Sequence, residues 1–466
     1  MSSASQSNSN AGTSQQGANA RPPKVRSDFV PAEHYLSPEI LRLEKERLWP
    51  RVWQMACREE EVPRVGSFIT YDIMDESIVV VRVSEREIKA FYNVCQHRGR
   101  RLTEGCGEIS RFHCRFHGWQ YNLDGSIARV LDRHDWVDCA GFTDADLSLT
   151  EVKVGTWAGW VFINMNPDAE PLSDYLAPVP NYLNPFEIEK MRYRWYASVK
   201  VPCNWKVGVD AFNEAYHVSS THAQWMPLYG DDVSRNRTYG RHSMFYYPGN
   251  PDYPMGAPSP RLGRPVPKDL RPKIIEYYDM FDKTLRAVFS ERDAEAVRRL
   301  MTEVSADAPL GEIMVKMLQF QREAAIAAGA GWPDISFQQI MEAGTDWHIF
   351  PNMVILPYPD GVLAYRAFPD TKDPDTCIFE VFALQRYAPG AEPPLKRQYL
   401  HGEEDWRNFK SISMILQQDF DNMGEVQRGM KSRGFKGART NPLQEATVSN
   451  FHQSLRGYLY DPDPTA

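Results

Sequence analysis

Between residues 95 and 125 the chain reads CQHRGRRLTEGCGEISRFHCRFHGWQYNLDG, with sixteen residues separating Cys95-x-His97 from Cys114-x-x-His117. Thiolate and imidazole are donors for transition metals. A structural zinc ion takes two of each, but its usual spacing groups Cys with Cys and His with His. Here each loop supplies one of each kind. That mixture suits a two-iron cluster in which two thiolates hold one iron and two imidazoles hold the other. Replacing two thiolates by neutral imidazoles reduces the negative charge and raises the potential, as an electron relay requires. Gly99 and Gly118 would let backbone amides approach, and Trp119 and Phe116 could screen the centre from water. Cys106 and His113 fall outside the spacing. His113 adjoins Cys114 and would point to the other side of an extended chain, so both are read as structural.

A second group of reactive side chains lies in NWKVGVDAFNEAYHVSSTH, Asn204 to His222. Read as a helix, Trp205, Val209, Phe212 and Tyr216 form an apolar stripe. Asp210, Glu214 and His217 form a polar stripe beside it, which by itself suits a solvated face. On an ideal helix His217 and His222 would point about 140° apart, so the pair can face one metal only if the helix ends or distorts between them. The hydroxyl-rich VSST segment is the place for that. Two imidazoles fall one carboxylate short of the 2-His-1-carboxylate triad that holds Fe(II) and leaves positions open for oxygen. Far downstream, Phe409, Ile412, Leu416, Asp419, Met423 and Val426 recur at alternating spacings of three and four. An acid inside an apolar stripe needs a cation, which could be a metal shared with the histidines or an arginine. Asp421 lies off that face and is read as solvated.

The elements that must position these groups follow from local pattern. Residues 1–27, rich in Ser, Asn and Gln, are expected to be a disordered tail. A leading helix is expected over 28–50, with Ser37 as a cap. From 51 to 165 short β-rich runs such as SFITYDI, SIVVVRV and WAGWVFIN predict a small all-β domain carrying both Cys/His loops. Residues 166–466 form the second unit: a helix at 204, a helix-rich insertion over 266–340, antiparallel strands over 346–388 and a last long helix from about 404 to 430. Met280, Met301, Met314 and Met317 of the insertion could lid a pocket, although core packing is the commoner role of Met. Asn352 and Tyr358 are further candidates for lining it. The class is α+β.

Composition narrows the possibilities. A net charge of −8 disfavours nucleic acid as a partner. The longest apolar run, Gly155 to Met165, is too short to cross a bilayer, so no membrane is expected. Seven cysteines, an odd number, suit a reducing cytoplasmic location better than a disulfide framework.

Cys95, His97, Cys114 and His117, within HRGRRL and CRFHGWQYNLDG, resemble a Rieske iron–sulfur domain. Together with NWK…E-x-Y-H-x(4)-H and D-x-D-N-M at Asp419, they resemble the catalytic (alpha) subunit of Rieske-type non-haem iron ring-hydroxylating oxygenases over roughly residues 30 to 435. The resemblance implies a [2Fe-2S] cluster on the first four residues. It also implies a mononuclear Fe(II) on His217, His222 and Asp419, in a helix-grip (START/Bet v 1-like) domain with a curved antiparallel sheet. It implies electrons from NAD(P)H through a ferredoxin and/or flavin reductase, O2 and a small organic substrate, expected to be aromatic as in aromatic hydrocarbon catabolism, and a homotrimer or α3β3 assembly if a small beta subunit is present. Glu214 takes the position of the carboxylate that bridges His217 to a neighbouring Rieske histidine, one methylene longer than the family's usual Asp; Asp210 ranks behind it. The product implied is a cis-dihydrodiol, a hydroxylated compound or a demethylated amine or ether. Competing readings are a Rieske electron carrier or redox sensor with a degenerate second domain, and a zinc-stabilised binding module. The complete His217/His222/Asp419 set counts against the carrier.

Overall fold

The computed structural model describes residues 24–461, apart from 137–138, 140–142, 371–372 and 403. The expected tail lies outside the described residues as far as residue 23. Its last residues are packed: Val25 is buried, and Thr440 and Ser449 donate to the Ser27 carbonyl. The leading segment is broken into a strand pair at Val30–Pro31, helices Glu33–Leu36 and Pro38–Leu43, and a wider turn over Glu44–Leu48. Pro38 causes the break, because it holds Ser37 extended, and the Ser37 hydroxyl then caps the second helix through Ile40 N.

A seven-stranded sheet runs in the order Gln54–Arg58, Trp160–Asn164, Glu151–Trp157, Glu87–Tyr92, Glu76–Ser84, Ser67–Ile73, Cys106–Glu108. A three-stranded sheet, Phe112–His113, Gln120–Tyr121 and Ile127–Arg129, sits beside it. Val79, Val81, Phe91, Phe112 and Tyr121 pack between them as a separate small core.

The second unit is built on a curved sheet of eight strands: Arg235–Tyr239, His242–Tyr246, Asp346–Ile349, Met353–Pro357, Gly361–Asp370, Asp373–Gln385, Arg192–Val201, Arg397–Leu400. All neighbours are antiparallel except the last pair. The expected span 346–388 supplied only four of these strands. Arg192–Val201 and the hairpin at 235–246 come from stretches whose mixed polarity hides their alternation. The insertion is helical as expected, with Arg271–Thr284 and Leu310–Ala327 its longest helices. The predicted helix 404–430 is two elements, a 3-10 helix Asp405–Ser411 and an α-helix Met414–Met430, because the Ser413 side chain caps the second one at Leu416 N. A further helix, Ala446–Tyr460, lies against the hairpin strands.

Buried charge joins the units. Arg366 pairs with Glu380 on the large sheet while donating to the Met55 and Ala56 carbonyls of the small one. Lys206 and the Trp205 indole both bond Glu44, tying the site helix to the leading segment. Removing one partner of such a pair strands the other in an apolar interior.

Candidate active site

The two Cys/His loops are built alike. Gly99 N donates to Cys95 O at 2.9 Å and Gly118 N to Cys114 O at 3.0 Å. Both glycines sit at positive φ, +74° and +73°, with open space where a Cβ would stand. Only glycine turns the chain there without strain. Cys95 and Cys114 are buried, and the Tyr121 hydroxyl lies 3.2 Å from the Cys95 sulfur. The His97 and His117 rings lie 4.5 Å apart, and each keeps a buried Nδ1 without a partner. Two thiols and two orphaned imidazole nitrogens at one tip fit a [2Fe-2S] cluster ligated through Nδ1. Trp119 stacks on His97 at 4.9 Å and is buried, as a screen should be. Phe116 is 56% exposed, so it covers His117 from the solvent side and not as part of a core. Cys106 stands on the edge strand against Arg397, and His113 is exposed on its own strand; neither joins the four.

In the larger unit the helix carrying the second constellation, Trp205–Phe212, stops before either histidine. The apolar stripe therefore ends at Phe212, and Tyr216 is exposed. His217 and His222 flank a four-residue helix, Val218–Thr221, which settles the 140° problem by ending the first helix early. Glu214 holds this turn. One carboxylate oxygen accepts from His217 Nδ1 at 2.6 Å, and the other accepts the backbone amides of Tyr216 and His217.

The Met414–Met430 helix brings Asp419 to the same place. The donor atoms of His217, His222 and Asp419 lie within 4.8 Å of one another, with Asp419 Oδ1 at 3.5 Å from His217 Nε2 and 3.2 Å from His222 Nε2. Donors sharing one ion at about 2.1 Å stand about 3 Å apart when adjacent, so the set fits a single metal. Among the described residues no arginine pairs with Asp419. Burial opposes a charged His217, but Glu214, Asp419 and Glu445 outweigh it and push its pKa up to about 9. The negative field that does so also suits a cation.

Gln418 was not foreseen. Its Oε1 accepts from His222 Nδ1 at 2.9 Å and from Gln224 Nε2 at 2.8 Å. Adjacency to Asp419 was the available signal. Asp210 does not touch either histidine: Tyr35 donates to it at 2.6 Å and His452 lies 3.0 Å away. Asp421 is exposed and accepts from Gln417.

The three donors open on a cavity of about 280 Å³ lined chiefly by aromatic rings. From the insertion come Tyr277, Phe281 and Phe289 in place of the four methionines; Met301 is exposed and Met317 is packed in the core. Tyr358 lines the cavity, but Asn352 does not, its amide being turned to the Ala367 carbonyl. A second cavity of about 270 Å³ shares Ala211, Glu214, His217 and Asp419 with the first. Those residues form the wall between the two.

Residues 187–460 match the family described as ring hydroxylating alpha subunit (catalytic domain), and residues 52–139 match the Rieske [2Fe-2S] domain. The chain belongs to the ring-hydroxylating alpha-subunit family. The two matches imply a [2Fe-2S] cluster and a mononuclear iron, with reducing equivalents that come from NAD(P)H in this family. Its alpha subunits work with electron-transfer partners and form oligomers.

Over 218 residues the chain is 31% identical to the carnitine monooxygenase oxygenase subunit of Escherichia coli (strain K12), covering 46% of this chain and 56% of that protein. It is 28% identical over 211 residues to the glycine betaine monooxygenase oxygenase subunit of Pseudomonas aeruginosa (strain UCBPP-PA14), 45% and 48%. The matched stretch thus spans about half the length of these relatives. Against the biphenyl dioxygenase alpha subunit of Metapseudomonas furukawaii, identity is 24% over 445 residues, 88% and 81%. In fold, the chain is similar to the quaternary ammonium Rieske monooxygenase CntA with L-carnitine, with a TM-score of 0.60, 20% identity and 92% and 95% of the two chains covered. Naphthalene 1,2-dioxygenase from Rhodococcus sp. with indole gives 0.59, 19%, 93% and 95%.

Proposed function

We propose that this chain is the terminal oxygenase of a Rieske non-haem iron system, inserting oxygen from O2 into an organic substrate with electrons brought from NAD(P)H by a ferredoxin and/or flavin reductase. The observation that carries the reading is the convergence of His217, His222 and Asp419 on the wall of an aromatic cavity. In this reading those three hold Fe(II), and Cys95, His97, Cys114 and His117 hold the cluster. When bound, the two centres supply single electrons and the place where dioxygen is reduced. The chain's residues do the rest. Glu214 and Gln418 accept the Nδ1 protons of His217 and His222, which turns both Nε2 lone pairs toward Asp419. The aromatic wall keeps water from the substrate face. The domain division is 51–165 for the Rieske unit and 166–466 for the catalytic one, and the location is cytoplasmic. No helix among the described residues is long and apolar enough to cross a membrane.

Assembly completes the site. Arg98, Arg100, Arg111 and Arg115 are exposed around the Rieske loops, while Asp210, Glu214 and Glu445 line the second cavity. Burial, then the charges of Glu214 and Asp210, push Glu445 up to about 7 against the Asn441 amide. A basic tip and an acidic recess suit a homotrimer or α3β3 in which the partner subunit's His117 reaches Glu214 from outside. The test is anaerobic purification, an iron count, and reconstitution with a reductase under ¹⁸O2. Three irons per chain and labelled product are expected; zinc in place of iron, or iron in the cluster alone, overturns the proposal.

A second reading within the family is oxidative N- or O-demethylation. The carnitine and glycine betaine monooxygenase relatives favour it.

A further inference from the structure

Asp346 opens the strand Asp346–Ile349 on the cavity wall and is 3% exposed. Its Oδ1 has no hydrogen-bond partner. Burial raises the carboxyl's pKa well above the ordinary value, and among the described residues no basic side chain forms an ion pair with it. The register explains where it points. His348, Val354 and Tyr365 form one cross-strand row, and Asp346, two residues before His348, shares their sheet face. Tyr365 lines the same cavity, and the negative charges of both Asp346 and Asp419 act on it.

Facing this acid are aromatic surfaces. Trp225 stacks on Phe281 at 4.3 Å and on Tyr229 at 5.9 Å, and Tyr277 lies 4.5 Å from Phe281. Tyr229 lines the same cavity, with its hydroxyl bonded to that of Tyr247. No Lys or Arg lines the cavity among the described residues. Away from the His217, His222 and Asp419 donors, a substrate carboxylate would meet an acid and aromatic rings with no Lys or Arg to pair with it. A plain hydrocarbon would leave Asp346 buried without a partner, at a cost. Ring faces and a lone carboxyl are complementary to an organic cation.

We propose that the cavity selects an apolar organic ammonium, a protonated or quaternary N-alkyl amine without a carboxylate, and that Asp346 is the residue that sets this specificity. The assignment deepens the oxygenase reading and rests on it for the meaning of "substrate". Ligand binding to the iron-loaded, anaerobic full chain tests it without turnover. The probes are benzyltrimethylammonium, its neutral isostere neopentylbenzene, and phenylacetate, with Kd read from quenching of tryptophan fluorescence. The expected result is at least tenfold tighter binding of the cation than of either other probe. Asp346→Asn should erase that preference while leaving neopentylbenzene binding unchanged, and Asp346→Glu should retain part of it. The neutral probe also reports whether each variant is folded. Equal binding of cation and isostere by the parent overturns the assignment even if no variant folds. So does an unchanged preference in a folded Asn variant, or tightest binding by phenylacetate. Labelled product from a neutral aromatic without cation preference would sink this assignment and leave the oxygenase reading standing. Cation preference in a protein that makes no product would do the reverse.

Discussion

At the tip of the Rieske unit His97 and His117 keep Nδ1 unpartnered, whereas in the catalytic unit both His217 and His222 have Nδ1 engaged, by Glu214 and Gln418. The first pair sits on two short glycine turns among exposed arginines; the second is enclosed by a helix break, a distant helix and an aromatic cavity. A ring nitrogen already bonded to a carboxylate or amide is fixed in orientation and tautomer, so the opposite nitrogen becomes the ligand. At the tip Nδ1 is itself the buried nitrogen with no partner in the protein, so it is the one left to hold a metal. The same side chain thus serves two purposes, and what holds its second nitrogen decides which.

The sharpest way to break the comparison is to remove one donor from each region. Asp419→Ala should lose the mononuclear iron and drop product formation to below about a thousandth of the parent, while visible absorption from the tip is unchanged. Cys114→Ser should abolish that absorption and two irons, leaving the third. Loss of both signals from either substitution would mean that the regions are not separate centres.

Next in size is the effect on the carboxylate proposed to link them. Glu214→Gln keeps a neutral acceptor beside His217 but loses the charge, so both metals should stay while product formation falls about a hundredfold. Loss of the mononuclear iron would show Glu214 to be a ligand-holding group only. Gln418→Leu is the smaller partner change. It frees His222 Nδ1, and a roughly tenfold weaker retention of the mononuclear iron against a chelator is expected. No change would mean that helix geometry alone fixes the ring.

The two regions were unequally legible in the sequence. The tip was readable because all four donors lie within 23 residues and local turns place them. The enclosed site was readable only where a residue contradicted its surroundings, as Asp419 does inside an apolar stripe. Asp346 did not stand out. At the start of a strand next to Gly344 and Thr345 an acid looks like a turn residue, and only the register with Phe245 shows it facing inward. The helix Ala446–Tyr460 has Thr447 and Val448 in its first turn, carries Gly457, and has weak intrinsic propensity; packing against the 235–246 hairpin holds it.

The smallest expected effect concerns the price of a site kept open for a ligand. Burial raises the folded-state pKa of Asp346, so the folded chain keeps a proton that the unfolded chain releases above the ordinary 3.8. Above that pH the unfolded state binds fewer protons, and the group's contribution to stability falls as pH rises. Asp346→Asn removes this penalty. The variant should be about as stable as the parent near pH 4 and more stable than it at pH 8, because only the parent must carry a buried ionisable carboxyl. Denaturant unfolding of ligand-free protein at both pH values measures it. A loss of stability for Asp346→Asn at pH 8 would show that Asp346 is held by the fold and is not waiting for a partner.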